Sequence, residues 1–324
     1  MRTSLKPSKI PPVLKFTLYH GASVLALATA ITFLPPTDIS FDKDADYGPN
    51  QVQKEFIRLN AKQFSYVAFG DTNHRQAEIH LFAMDKGTLE ALHEGGVKNY
   101  FLEQPYQRQS EIDGISQNKL SNDFASAWNC NPESREKFNK TYNENIKATP
   151  EIKFIAADKR FEGDGYSGLA GAYRKAALRI PIGLYKKVYG CWSPNTFILP
   201  LLLNPNLMGN GLTDDTRTAE LIDSYEGKGA ILFGAAHFQA RYEREKSMRI
   251  LLTKNHKDIV VINIFKDAAS EKESALNSKG MKPDAIFYIN PPAENADGIE
   301  ILNPALQKNY EQAKSLGHMK LSFR

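Results

Sequence analysis

Cysteine is scarce: Cys130 and Cys191 are the only two in 324 residues. There is no Cys-rich cluster and no HExxH segment, which removes zinc-finger scaffolds and the zincin type of metal helix. Ser167 is not in a GxSxG elbow and neither cysteine neighbours a base, so the familiar nucleophilic triads drop out. A GxGxxG match at Gly163, Gly165 and Gly168 is displaced from its strand by the segment KRFE, whereas a dinucleotide site needs those glycines in the strand-to-helix turn itself. Acidic residues are absent before Asp38, while Arg2, Lys6, Lys9 and Lys15 lie ahead of it. Those four charges account for the whole formal net charge of +4, so the remainder is about neutral and offers no basic footprint for a nucleic acid. Internal repeats and low-complexity tracts are also missing.

With 42% hydrophobic and 24% charged residues, the chain has the composition of an ordinary globular protein with a sizeable core. Residues 1–15 are basic and broken by prolines, and Phe16 to Leu34 is uncharged and mostly apolar until Pro35-Pro36 ends it. That is the layout of an export sequence, and two readings of it stay open. Ala28-Thr29-Ala30 is a small-x-small cleavage site, yet the apolar run continues through Ile31, Phe33 and Leu34, as in an uncleaved membrane anchor. The one-sided basic flank matches the positive-inside pattern and argues against an ordinary buried helix. Either reading puts the globular part outside the cytoplasm. There the even pair, Cys130 in WNCNP and Cys191 in YGCWSP, reads as one disulfide or as two unpaired thiols. The expected organisation is a basic leader at 1–15, an anchor or signal at 16–34, an acidic linker at 35–50 and a globular domain at 51–324.

Beyond the linker, short apolar runs bounded by turn residues predict strands at Phe64–Gly70, Val97–Leu102, Ile152–Ala157, Ala230–Phe233, Ile259–Phe265 and Ala285–Ile289. Between the first two lies EIHLFAMDKGTLEALHEGG, whose spacing of Ile79, Phe82, Leu89 and Leu92 predicts an amphipathic helix stopped by Gly95-Gly96. Strand, helix and strand in this order make a βαβ unit. Its repetition predicts an α/β fold with a largely parallel central sheet flanked by helices. The irregular middle, roughly residues 163–211, reads as a mostly helical insertion, either a lid or groove wall or a plain buried helix. Its apolar run FILPLLLNPNLM is broken by Pro200 and too short to cross a bilayer.

In an open parallel sheet, ligands bind just beyond the carboxyl ends of the strands. Predicted strand ends here carry Asp71 and His74, then Glu103, then His237, with Asp158 as a further candidate. Each has a dull explanation alone: a helix cap, a first-turn surface residue, a turn carboxylate, a satisfied core histidine. Their shared placement is what points to a site. The other histidines do not share it. His80 and His93 lie on the predicted helix, His20 in the leader, and His256 and His318 in charged segments, so they read as structural.

The segments GDTNH, FLEQP and FGAAH resemble the motifs of the superfamily that joins erythromycin esterases, ChaN-like haem-binding proteins and TraB/Tiki metalloproteases. Its motif set corresponds here to Gly70, Asp71 and His74, then Glu103, Arg217 in DDTRTAELID, and finally Gly234 and His237. The match spans roughly residues 64–240. Asp71 stands where the esterases carry glutamate, and Thr218 follows Arg217 where an acidic or amide residue is common. The resemblance implies hydrolysis of an ester or peptide-like bond in a small-molecule or peptide substrate, with Asp71, His74, Glu103, Arg217 and His237 as catalytic residues. A histidine oriented by a carboxylate serves as general base, and Arg217 as the cation facing the developing oxyanion. In a second arrangement His74, Glu103 and His237 bind a divalent metal (Mn, Co or Zn) that generates the nucleophile. The ChaN branch implies a different class, a non-enzymatic carrier of a haem-type ligand.

Overall fold

The run IVVINIF has no polar alternation, as expected of a strand covered on both faces, and it forms one. In a computed structural model that describes residues 42, 44–73, 76–117, 132–159, 215–239, 246–255, 257–273 and 282–322, seven strands make one sheet: β1 Tyr66–Asp71, β2 Val97–Pro105, β3 Lys153–Asp158, β4 Lys228–Gly234, β5 Ile259–Phe265, β6 Ala285–Tyr288 and β7 Ile299–Ile301. Their order is β3-β2-β4-β1-β5-β6-β7, and every pairing is parallel except β6 with β7. The chain is therefore α/β, with a mostly parallel sheet flanked by helices. All described residues fall in one unit, Asp38–Asp164 with Met208–Arg324. The leader, the expected anchor, both cysteines, His74 and the middle segment 163–211 lie outside the described residues.

The helices of the described residues are α1 Gln51–Gln63, α2 Ala77–Ala83, α3 Lys86–Glu94, α4 Gln109–Ser116, α5 Pro132–Ala148, α6 Thr216–Asp223, α7 Ala236–Gln239, α8 Met248–Lys254, α9 Ala268–Glu273 and α10 Gln307–Ser322. One face of the sheet, through Val67, Phe69, Leu102, Leu232 and Ile262, packs with Phe56 of α1, Phe82 of α2, Leu92 of α3 and Phe138 of α5. The other, through Tyr66, Ala68, Phe101, Phe233 and Val261, packs with Ile222 of α6, Phe238 of α7 and Leu252 of α8. Each fully buried large apolar side chain contributes about 1.5–3 kcal/mol.

Local chemistry sets the boundaries. Asn50 starts α1 with a capping box: its side chain accepts the Gln53 N–H at 2.9 Å, and Gln53 Oε1 accepts the Asn50 N–H at 3.0 Å. The Phe64 N–H still donates to Asn60 O at 2.8 Å, so Phe64 closes α1 and the first strand begins two residues later than expected. The single helix expected over Glu78–Gly96 is two helices. Asp85 N-caps the second, its side chain accepting the Gly87 N–H at 2.7 Å, and this cap breaks the run at Met84. Gly96 then takes a left-handed φ of 91°, which a glycine adopts without strain, and turns the chain into β2.

Candidate functional site

Chain direction brings the carboxyl ends of β2, β4 and β1 together in the middle of the sheet, where the order reverses: β1 leads out to β2 on one side, and β4 leads back across β1 to β5. The gap at such a reversal is where open sheets hold ligands.

Glu103 lies inside β2, at the irregularity between Leu102 and Pro105. Its Oε2 accepts the Gly234 N–H at 2.6 Å, tying the end of β2 to the end of β4, and its Oε1 stands 3.6 Å from His237 Nε2. His237 is on the one-turn helix α7, buried to 9% exposure, with its ring edge-on to Phe233 at 5.8 Å. His237 Nδ1 is 2.9 and 3.1 Å from the two oxygens of Asp215, which is 1% exposed. A carboxylate only accepts, so Nδ1 carries the proton and Nε2 is the nitrogen turned toward Glu103. Asp215, His237 and Glu103 thus form a carboxylate–imidazole–carboxylate chain, closed to water at one end and half-open at the other.

Sequence reasoning missed Asp215. It stands at the N-cap of α6, where an aspartate ordinarily accepts the first free N–H groups, yet it makes no side-chain cap bond. Its carboxylate is directed to His237 instead. An acidic pair, Asp214-Asp215, just ahead of Arg217 was the available signal, and it reads as a helix start.

Asp71 is the last residue of β1, with its side chain buried: Oδ2 is 2.8 Å from His80 Nε2 and Oδ1 accepts the Asn73 N–H at 2.9 Å. His80, set aside as a helix-face histidine, is therefore the partner of Asp71, with its ring edge-on to Phe138 at 5.6 Å. By the alternation of β1, Asp71 follows Val67 and Phe69 on their face of the sheet, whereas the His237 ring packs against Phe233 of the other cluster. The Asp71 main-chain oxygen still accepts the Ala235 N–H at 2.8 Å, which locks β1 to the turn before α7. Arg217 is exposed in the first turn of α6, two residues past Asp215. Asp158 ends β3, buried, and the next N–H, of Lys159, donates to Thr218 Oγ1 of α6 at 3.2 Å. His74, and with it the full three-ligand metal set, falls outside the described residues. Among the described residues no group of three or more His, Cys, Asp or Glu side chains is arranged to hold a metal ion, and no helix is long and apolar enough to cross a membrane.

No family model and no curated protein matches the chain. Among solved structures, it is similar to the haem-binding ChaN of Campylobacter jejuni at 18% identity over 65% of this chain and 85% of that one, with a TM-score of 0.36. The type III effector HopBA1 aligns at 13% identity over 67% and 85%, TM-score 0.36. A Bacillus cereus protein aligns at 13% identity over 81% and 80%, TM-score 0.41. Likenesses of this degree decide neither family nor activity.

Proposed function

We propose that this chain is a hydrolase of an ester or peptide-like bond, with His237 as its general base. The observation that carries the reading is the Asp215–His237–Glu103 chain at the sheet's reversal point, buried at Asp215 and His237 and partly exposed at Glu103. Asp215 fixes the tautomer and the ring plane of His237. His237 Nε2 takes a proton from water as the water oxygen attacks the substrate carbonyl, and returns it to the departing oxygen or nitrogen. Proton transfer of this kind is worth about 10²–10⁴ in rate. Glu103, held by the Gly234 N–H, positions the water on the Nε2 side, and Arg217, exposed two residues past Asp215, is assigned to the carbonyl oxygen as it becomes negative.

A divalent ion fits the donor set in part. Glu103 Oε1 and His237 Nε2 are oxygen and imidazole ligands 3.6 Å apart, a pairing that suits Mn, Co or Zn, and His74 is the third ligand in this reading. When bound, such an ion supplies a more acidic water. The basic leader and apolar run at 16–34 further lead us to assign the globular part to the outside of the cytoplasm, membrane-tethered or released. Reporter fusions after Asn50 test that placement, and activity confined to cytoplasmic reporters rejects it.

The direct experiment is hydrolysis of a panel of small esters and peptides by the purified chain, with and without Mn²⁺, Co²⁺ or Zn²⁺, and a haem titration alongside. Turnover that disappears in His237→Asn supports the proposal. An inert wild type that binds haem moves the assignment to a ligand carrier.

A further inference from the structure

On the Phe233 face of the sheet, against which His237 packs, one buried amide finds no hydrogen-bond partner among the described residues. It is Asn263 of β5, 0% exposed, and both its Nδ2 and its Oδ1 are unmatched there. The alternation of β5 puts Asn263 in line with Ile259 and Val261, whose cluster also contains Ala68, Phe233 and Phe238. Its partner across the ladder is Gly70 of β1. A Cβ at Gly70 would come within 2.3 Å of Asn263 Oδ1 and 3.1 Å of Ala235 Cβ. The missing side chain of Gly70 is therefore what lets the amide lie across β1 toward the turn between β4 and α7. Ala235, in that turn, follows the Gly234 that Glu103 holds and precedes His237 by two positions. A second buried amide on α7, Gln239, leaves its Oε1 unpaired.

An orphaned buried amide is unfavourable, and an apolar side chain of the same shape is the more stable occupant of such a place. A primary amide presents a donor and an acceptor side by side, the complement of the C=O and N–H of another amide. An ester brings acceptors only and leaves Oδ1 unmatched. We propose that Asn263 recognises an amide group of the substrate beside the His237–Glu103 pair, so that the site takes peptide-like rather than ester substrates. The assignment rests on the hydrolytic reading for the identity of the reacting bond. Asn263 is fully enclosed, so an amide that reaches it meets the side chain without water. A site that matches buried polar groups in this way rejects an analogue lacking one of them by up to about 10⁴–10⁵-fold.

The experiment is calorimetric titration of the whole chain with blocked tripeptides. Each is paired with isosteres in which every N–H in turn is replaced by an ester oxygen, and products are followed in parallel. Wild type is expected to bind at least one peptide about tenfold or more tighter than one of its isosteres. Asn263→Leu is expected to lose that preference and to melt higher, because the orphaned amide is gone. A wild type that binds peptides and isosteres equally, or binds no peptide, overturns the proposal without reference to any variant. Preference retained in Asn263→Leu also overturns it, as does a lower melting temperature with unchanged preference, the signature of a purely structural amide. Preferential peptide binding without hydrolysis leaves this inference standing and removes the hydrolase. Hydrolysis of peptides and esters with no binding preference does the reverse.

Discussion

Asp215→Asn separates a working His237 from a merely buried one. The wild-type carboxylate is 1% exposed and holds Nδ1 with both oxygens, at 2.9 and 3.1 Å. A charge-assisted bond of this kind contributes about 1.5–3 kcal/mol. An amide in its place keeps the shape and loses the charge. If its NH₂ turns to Nδ1, His237 must carry its proton on Nε2, facing Glu103, and can no longer take one from water. Turnover is then expected to fall by up to about 10⁴, as tautomer reversal does in a serine protease triad, with KM moving only a few-fold. The melting temperature should drop by about 2–4 °C for each kcal/mol lost. The assay is the hydrolysis panel run across pH 5–9 on both proteins, with thermal melts on the same samples. A folded Asp215→Asn variant whose kcat stays within about fivefold of wild type refutes the argument, because the carboxylate that holds Nδ1 would have proved dispensable.

Arg217→Ala is expected to lower turnover by about 10²–10³ while leaving stability within about 1 kcal/mol, since the side chain is exposed; unchanged turnover removes Arg217 from the mechanism. Gly70→Ala drives a methyl to 2.3 Å from Asn263 Oδ1 and should cost about 1–3 kcal/mol. A denaturation midpoint equal to wild type contradicts that close approach. Burial, reinforced by the charge of Asp223, pushes the Tyr66 phenol up to about 12. The native state therefore holds this proton more tightly than the unfolded chain, whose phenols titrate at about 10, so stability present below about pH 10 is lost as pH climbs toward about 12. Tyr66→Phe should flatten that alkaline decline, and identical slopes for the two proteins count against the assignment.

The sheet was legible because its strands are short apolar runs ended by turn residues, and β5 most of all because both of its faces are covered. Ends were harder. Asp71 and Glu103 look like residues that follow strands, yet both lie within them, since hydrogen-bond pairing continues after the apolar run stops. β7 has three residues and rests on pairing with β6 rather than on any pattern of its own. The helix break at Asp85 is a local contest in which a side-chain cap outweighs a continuing apolar stripe. Within the site, Glu103 and His237 could be named from their places at adjacent strand ends. Asp215 could not, because its role depends on how α6 meets α7, and no local spacing encodes that meeting. His80 was hidden for the same reason: its helix-face position says nothing of the carboxylate waiting at the end of β1.

The order of the strands has a consequence for how the chain comes to be folded. β1 and β2 are consecutive in sequence but not adjacent in the sheet; β4 lies between them and pairs with both. Until residues 228–234 have been synthesised, β1 and β2 each present an open hydrogen-bonding edge with no native neighbour on that side. Closing the sheet means threading a late strand between two early ones, a long-range step of the kind that slows folding and exposes edges to wrong partners. Glu103 reaches the Gly234 N–H, and His237 reaches Glu103, only when that strand has docked. Assembly of the Asp215–His237–Glu103 chain and topological completion are thus the same event, and a stalled or misthreaded chain carries no half-formed version of it.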